Sequence, residues 1–600
     1  MSTIARIEGE ARAQDISRKL VLWISLLMVA GVALYGVLMV SDFNRSLGPE
    51  LDRRAALIGE TISNDTERAV ALGIPLEGFV GVDAYLGSFL SEFPELDYLA
   101  IRSADGDVLY SAYAHGVEED GVAESVVYGF AIDAEDGEVG SIDVGVDRHF
   151  VRSRLQDLAL DVGVILIVAL VVVFETTLAL SERIVGRRSR RVRHAAVSAA
   201  QRGSAGDIRL VLFLFALGEE LSKSFLPLLI QAADNPIPGL DPNIVISLPI
   251  IAYLLTLAVA SPLAGRLVDA FGQRGLFLVG LAFAASSHLG MVFADNVVQI
   301  MGLRALTGIG YGLATIACQE YLLRRMAPGR RAKTIGVFVA VIIGGTFAGT
   351  ALGGILADRL GYDTVFVISF FVVLGSGLLA LTMMQPGAGS GERARAVSLR
   401  DMTTVMRRPA AVLLLGGVTI PMNVLMAAFL WYLVPLTMAA AGSDASSIAR
   451  TLMIYYLVIL IGGPLVGKAA DRLHSLWLLV GIGSVLAGAA LLLPALLPSA
   501  LTVSIAVLLV GVGHATVRGP QVALALDIAD AEGEESSRDS ILAAMRALER
   551  LGSLLGLLVV SLLAAGFGLN VAVGAIGVTT AVAAIVFLIA RLSSTPRWAT

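Results

Sequence analysis

Apolar residues fill most of this chain in stretches of about twenty, each closed by a short polar or charged loop. A helix needs about 20 such residues to cross a bilayer. Between residues 209 and 592 the pattern predicts twelve helices in two groups of six, near 209–231, 244–264, 276–294, 297–321, 334–356, 364–384, 410–437, 449–466, 476–496, 500–526, 540–565 and 570–591. Two further apolar runs, 20–41 and 158–181, precede them. The segment between those two breaks the pattern. Residues 42–75 carry Leu51, Ala55, Leu57, Ile58 and Ile62 at helical spacing. Apolar and polar residues then alternate over Leu96–Arg102 and, after Asp105-Gly106, over Val108–Tyr110. Ser125–Ile132 and Val139–Val146 flank a second such turn, Asp136-Gly137. Alternation marks strands, and Asp-Gly between alternating runs marks a tight hairpin. The expected fold is an all-α polytopic membrane protein of two six-helix bundles. An N-terminal α+β domain, flanked by two additional transmembrane helices, precedes the bundles.

Composition supports this division. The 600 residues are 56% hydrophobic and 16% charged, with a mean hydropathy of +0.79. A soluble protein carries about 25% charged residues, so most of this chain is solvated by lipid. Residues 42–155 are acidic and of ordinary polarity, which makes them a water-soluble module. The net charge of −7 gives no argument for a nucleic-acid partner. The single cysteine, Cys318, lies in an apolar helix and suits packing. The six histidines and one cysteine form no metal-ligand cluster and no nucleophile triad. A Gly-x4-Gly-Lys-Ser/Thr loop is also missing, which argues against nucleotide use. The expectation is a protein that is not an enzyme and needs no cofactor, metal or nucleotide.

Basic residues set the topology. Arg6, Arg12, Arg18 and Lys19 precede the first run, which lacks a cleavage site and reads as a retained anchor. Arg183, Arg187, Arg188, Arg190, Arg191 and Arg193 follow the second. The positive-inside rule places both flanks in the cytoplasm and the module outside. Among the later loops, those with Arg266 and Arg274, with Arg324 to Lys333, and with Lys468 and Arg472 are basic, whereas the alternate ones are nearly free of Lys and Arg. The chain therefore divides into a cytoplasmic N-terminus (1–19), an anchor (20–41), an extracytoplasmic domain (42–155) and a second membrane helix (158–181). A basic cytoplasmic linker (182–206) leads to the first bundle (207–384). A Gly-, Ser- and Arg-rich cytoplasmic linker (385–408), the second bundle (409–592) and a cytoplasmic tail (593–600) complete it. Lysine is rare beside arginine, and Ala, Gly and Val are abundant, as in a GC-rich bacterial coding sequence. That points to the bacterial inner membrane.

Three motifs carry a resemblance. The loop Gly265-Arg266-Leu267-Val268-Asp269-Ala270-Phe271-Gly272-Gln273-Arg274 has a counterpart, Gly467-Lys468-Ala469-Ala470-Asp471-Arg472, at the matching place in the second group. Gly265, Leu267, Asp269, Gly272 and Arg274 resemble motif A of the major facilitator superfamily, while Val268 and Ala270 depart from it. Arg304-x3-Gly308-x-Gly310 resembles motif B. Gly345, Gly349, Gly353 and Gly354 resemble motif C, associated with antiporters, with Thr350 in place of the expected proline. The resemblance covers about 205–595 and implies a secondary transporter whose two bundles rock about a central site. In it Asp269, Arg274, Asp471 and Arg472 latch conformations, and the motif glycines let backbones approach.

Charges stranded among apolar residues mark the candidate site. Glu219 and Glu220 lie about 16 Å into the first transport helix at 1.5 Å per residue, with Lys223 within reach of either at i+4 and i+3. One glutamate pairs with Lys223 and the other is free to bind a proton or a cationic group. Arg304 faces an apolar span. Arg546, Glu549 and Arg550 share one face of the eleventh helix. Arg518 has no nearby carboxylate on its own helix, which favours an anion or a carboxylate from another helix as its partner. The N-terminal module resembles the PAS-like extracytoplasmic sensor domains called Cache, through Asp-Gly-Asp-Val-Leu-Tyr and Glu-Val-Gly-Ser-Ile-Asp-Val-Gly-Val-Asp. That implies a small-molecule ligand on the sheet, with Tyr98, Arg102, Tyr110 and Tyr128 as candidates. The expected function is transport of a small polar organic solute, driven by the proton gradient and favouring export, with external ligand sensing. The alternative is a membrane receptor that signals without net transport.

Overall fold

A computed structural model describes residues 53–93, 95–114, 126–134, 137–192, 206–235, 237–325, 331–386, 405–470, 475–531 and 535–593, together with Arg472 and isolated positions between 23 and 51. The chain forms two compact units, residues 27–166 and residues 1–26 with 167–600.

In the unit of residues 27–166, α1 (53–71) and α2 (Val82–Glu92) precede a four-stranded antiparallel sheet of β1 (Leu96–Ser103), β2 (Val108–Tyr113), β3 (Val126–Ala134) and β4 (Gly137–Val146). The strand order is β2-β1-β4-β3. Gly106, at φ 89°, turns the first hairpin, a conformation open to glycine and costly for other residues. In the register Leu99 faces Val144 and Ile101 faces Ile142, so one face of the sheet is apolar. Ile58 and Ile62 of α1 and Leu86 of α2 close on it to form the core. The sequence pattern did not predict α2. Only Leu86 is fully buried along it, which is too little periodicity to read. The first expected anchor falls mostly outside the described residues. Its described positions, Leu34 and Gly36 among them, are helical, and Gly36 packs on Val162.

Helix α3 (Arg148–Val192) begins one residue after β4 and contains the apolar stretch Leu155–Ala179. In the unit that includes residues 167–600, the helices are α4 (Gly206–Glu220), α5 (Leu226–Ala232), α6 (Pro242–Met291), α7 (Val297–Arg325), α8 (Arg331–Leu360) and α9 (Tyr362–Met383). After them come α10 (Pro409–Ala440), α11 (Ala445–Ala470), α12 (Leu476–Leu496), α13 (Ala500–Asp530), α14 (Glu535–Phe567) and α15 (Leu569–Ser593). Among the described residues eleven helices are long and apolar enough to cross a membrane.

Two features reconcile that number with the sequence pattern. The 50 residues of α6 would reach about 75 Å as one rod, far beyond the roughly 30 Å hydrocarbon layer. They are two helices joined at Gly272, at φ 68° and ψ 165°, where the motif A loop reverses the chain. The first transport helix, expected to be continuous over 209–231, is instead broken between Glu220 and Leu226. Pro227 explains the break: its ring excludes the helical hydrogen bond to residue 223 and crowds that carbonyl. In α10, Leu415–Thr419 and Leu425–Leu433 are wound as π-helix around Pro421 and before Pro435.

The two bundles meet along α8 against α11 and α6 against α14. At the end of the bundles opposite motif A, the Asp358 carboxylate accepts the backbone N–H groups of Ala445 (3.2 Å) and Ser446 (2.6 Å). These open α11, so a carboxylate of one bundle caps a helix of the other. Nearby, the Tyr432 hydroxyl donates to the Asn243 carbonyl at 2.7 Å.

Candidate functional site

The break in the first transport helix builds the site. Because α4 ends at Glu220, the adjacent glutamates project in different directions, as successive helical residues do. Glu220 pairs with Lys223 across the turn. Glu219 points into its own bundle, where Oε1 lies 3.2 Å from His288 Nε2 on α6. Both side chains of that second pair are almost fully buried, at 3% and 1% exposure. His288 was not among the sequence-derived candidates. It is 69 residues from Glu219, in the stretch Leu276–Met291 that carries no Asp, Glu, Lys or Arg. The only signal was an ionisable side chain in an apolar span.

The motif C glycines position this segment. Gly345 packs against the Phe213 carbonyl and Ala216, and Gly353 against the Leu221 carbonyl at the break. A Cβ at Gly349 would meet the Glu220 Cβ at 3.0 Å. These glycines therefore hold α4 close to α8. Gly354 faces the other bundle, against Ala445 and Ala449.

Lys223 crosses between bundles. Its Nζ donates to the Tyr456 hydroxyl at 3.3 Å and sits 4.6 Å from the centre of the Trp431 ring. Cation–π contacts of this kind strengthen where water is excluded. Arg304 lies 4.9 Å from the centre of the Tyr253 ring, with its Nε buried and without a hydrogen-bond partner among the described residues. Tyr253 packs on Tyr311 at 6.2 Å. Lys223 and Arg304 repel one another electrostatically. Arg518, from the second bundle, acts on Tyr455, Tyr456 and Tyr311, of which Tyr456 and Tyr311 also feel Glu220. Candidates from both bundles thus converge on one region.

The second bundle's charges form an adjoining group. Glu549 is under the joint electrostatic influence of Arg518, Arg546 and Arg550, so the carboxylate that Arg518 acts on lies on another helix. Arg550 donates to the Leu257 carbonyl of the first bundle at 3.2 Å. His514 is a structural partner here: its Nδ1 lies 2.8 Å from the Tyr455 hydroxyl, and neither group is exposed.

The motif A residues lie elsewhere. Asp269 pairs with Arg324 at 3.4 Å, and Arg324 also pairs with Glu320 at 3.3 Å. Arg274 donates to the Leu381 and Met384 carbonyls at the C-terminal end of α9, where a cation is favoured. Gly265 sits in open space on α6. Arg472 is exposed, and Asp471 falls outside the described residues.

A second pair of embedded charges was also missed. On α3, Glu175 accepts two hydrogen bonds from Arg209 of α4, at 2.6 and 3.1 Å, with both residues buried. One lone acid and one lone base in successive apolar runs were the available signal.

In the N-terminal unit the four candidates divide between the two faces of the sheet. Tyr110 and Tyr128 pack on the core face, and the Tyr110 hydroxyl donates to the Phe79 carbonyl at 3.0 Å. Tyr98 and Arg102 lie on the other face. Tyr98 stacks near Tyr113 at 5.3 Å, and burial raises its phenol pKa. Arg102 bonds Asp143 at 2.5 Å, and that contact raises the guanidinium pKa further.

Comparison with known proteins bears on the family and the fold. A stretch of this chain is 35% identical over 133 residues to the tetracenomycin C resistance and export protein of Streptomyces glaucescens, covering 22% of this chain and 25% of that protein. The multidrug transporter protein MdtP of Bacillus subtilis is 33% identical over 138 residues, 23% of this chain and 24% of its own. The chain thus spans about a quarter of the length of these curated relatives. The crystal structure of a POT family transporter in complex with 5-aminolevulinic acid superposes with a TM-score of 0.55 at 14% identity, over 65% of this chain and 96% of the other, a likeness of fold. Residues 209–535 match the family model of the Major Facilitator Superfamily, more than half of the sequence, and the chain belongs to that superfamily, whose members are transporters and not enzymes.

Proposed function

We propose that the chain is a proton-coupled secondary transporter of the bacterial inner membrane that exports a small polar organic solute. The observation that carries this reading is the separation of two carboxylates at the break in the first transport helix. Glu220 is neutralised by Lys223, which touches the opposite bundle at Tyr456. Glu219 meets an imidazole, the side chain that most readily gains and loses a proton near neutral pH. A proton gained by this pair changes its charge in a medium of low dielectric, where such a change is felt strongly by neighbours. Tyr253 and Tyr311 feel the charge of Glu219 and also that of Glu220. Proton occupancy at Glu219 and His288 can thus bias the Lys223 contact between bundles.

Export is favoured by the motif C glycines and by the names of the two relatives above. The positive-inside rule places the motif A loops in the cytoplasm, so the contacts made by Asp358 and Tyr432 close the outer side. The N-terminal unit, with helices packed on one face of a hairpin sheet, supports an external Cache-like sensor that regulates transport. The test is flux of candidate solutes in proteoliposomes with an imposed pH gradient. Glu219→Gln is expected to lose gradient-driven flux while folding and binding persist. Normal pH-driven flux in both Glu219→Gln and Glu220→Gln would overturn the coupling.

A further inference from the structure

Cations outnumber carboxylates where the bundles meet, and the pairings leave them unevenly matched. Glu219 is committed to His288, and Glu220 to Lys223. Glu549 serves three guanidiniums at once. Arg304 makes no ion pair and no hydrogen bond among the described residues. It lies over the face of Tyr253, and its Nε is buried and without a hydrogen-bond partner among the described residues. A guanidinium held in a membrane span without a counter-ion is costly, and an aromatic face returns only about 0.5–2 kcal/mol. An anion would satisfy it, because a guanidinium offers the planar fork that a carboxylate accepts. Arg304 lies over Tyr253, which packs on Tyr311, and the neighbouring cation Lys223 lies over Tyr456 and Trp431 of the other bundle. Lys223, held on those same rings, is a second cation able to exchange its bond with Glu220 for one to an incoming anion.

We infer that the transported solute is an organic acid with a planar aromatic body. Its carboxylate binds Arg304 and draws on Lys223, and its ring stacks among Tyr253, Tyr311 and Tyr456. This rests on the transport reading above and names the substrate class of that site. Arg518 supplies further positive potential from the second bundle and favours the acid when the bundles close on it. A cationic drug of the same shape would face Lys223, Arg304 and Arg518 together and be rejected.

The test is equilibrium binding to the purified full-length chain in detergent, with no gradient, using 1-naphthoate as the labelled probe. Saturable binding is expected, displaced by 2-naphthoate and not by the isosteric cation 1-naphthylmethylammonium. Arg304→Gln should weaken binding at least tenfold, Arg304→Lys by less, and Arg68→Gln in the N-terminal unit should have no effect. A melting measurement on each variant confirms folding, and the wild-type competition decides the charge preference even if Arg304→Gln fails to fold. No saturable naphthoate binding, displacement by the ammonium isostere as effective as by the acid, or unchanged affinity in folded Arg304→Gln would each overturn the proposal. The coupling reading stands or falls separately, on gradient-driven flux.

Discussion

Helix α4 carries an acid–base contact near each end, and the two are built differently. At its start Arg209 meets Glu175 in a two-bond clasp, with both side chains buried and the fork of the guanidinium matched to the carboxylate. At its end Glu219 meets His288 through a single contact, and Glu220 meets a lysine that is shared with the opposite bundle. The first arrangement has no second state to occupy. The second has several, since an imidazole changes charge and a lysine can change partner. A membrane charge pair that fixes architecture and one that moves are therefore distinguishable by geometry: number of bonds, titratability, and whether a partner lies across a moving interface.

The sharpest way to break this comparison is at Arg209. Arg209→Gln leaves Glu175 as an uncompensated buried charge, at a cost of about 3–5 kcal/mol. Thermal unfolding of the purified protein should show a large loss, as should Glu175→Gln. The double variant Glu175→Gln, Arg209→Gln should recover most of it, because two neutral amides can still bond one another. Equal losses in single and double variants would show that the clasp is not the source of the effect.

Glu219→Gln should behave in the opposite sense. The amide keeps a hydrogen bond to His288, so stability should fall by no more than about 1 kcal/mol, while pH-driven flux falls at least tenfold. His288→Gln should do the same. If either variant unfolds as readily as Arg209→Gln, then this pair too is architectural and the distinction fails.

Asp358 offers an intermediate case: a fixed charge at a moving interface. Its carboxylate holds two backbone N–H groups at the start of α11. Asp358→Asn keeps one acceptor and loses the charge that favours a helix N-terminus, about 1 kcal/mol and about fivefold in the balance between closed and open forms. Cys318 is the sole cysteine and is buried, so a cysteine placed at Ser443 can be labelled selectively. Faster labelling by an impermeant maleimide is expected with Asp358→Asn. An unchanged rate would show that the cap does not hold this end closed.

What could be read in advance follows the range of the physics. Helices and hairpins are local: twenty apolar residues, or Asp-Gly between alternating strands, announce them without reference to anything distant. The carboxylates at 219 and 220 were visible because charge in hydrocarbon is conspicuous on its own. Their different partners were not, since His288 is far away in the chain and no periodicity links it to Glu219. Lys223 could have served either glutamate by spacing alone. The break that decided between them follows from Pro227, whose effect on α4 depends on packing against the glycines of α8. The clasp between Glu175 and Arg209 was legible only as two unexplained charges, and α2 was hidden because one buried leucine makes no pattern.

The smallest expected effect sharpens the comparison from outside the membrane. Tyr85 donates to Asp65 at 2.7 Å on the surface of the N-terminal unit, an acid–donor contact like those on α4 but open to water. Burial, then the hydrogen bond and charge of Asp65, raise its phenol to about 12 from 10.0. The folded state thus prefers the protonated phenol, so the contact's contribution is complete below pH 10 and is lost as pH rises through about 12. Solvent screening keeps that contribution small, no more than about 0.5 kcal/mol. Tyr85→Phe should lower the exchange protection of α1 and α2 amides slightly at pH 8 and remove one late phenol from the ultraviolet titration. A loss as large as that of Arg209→Gln would mean that burial is not what separates strong pairs from weak ones in this protein.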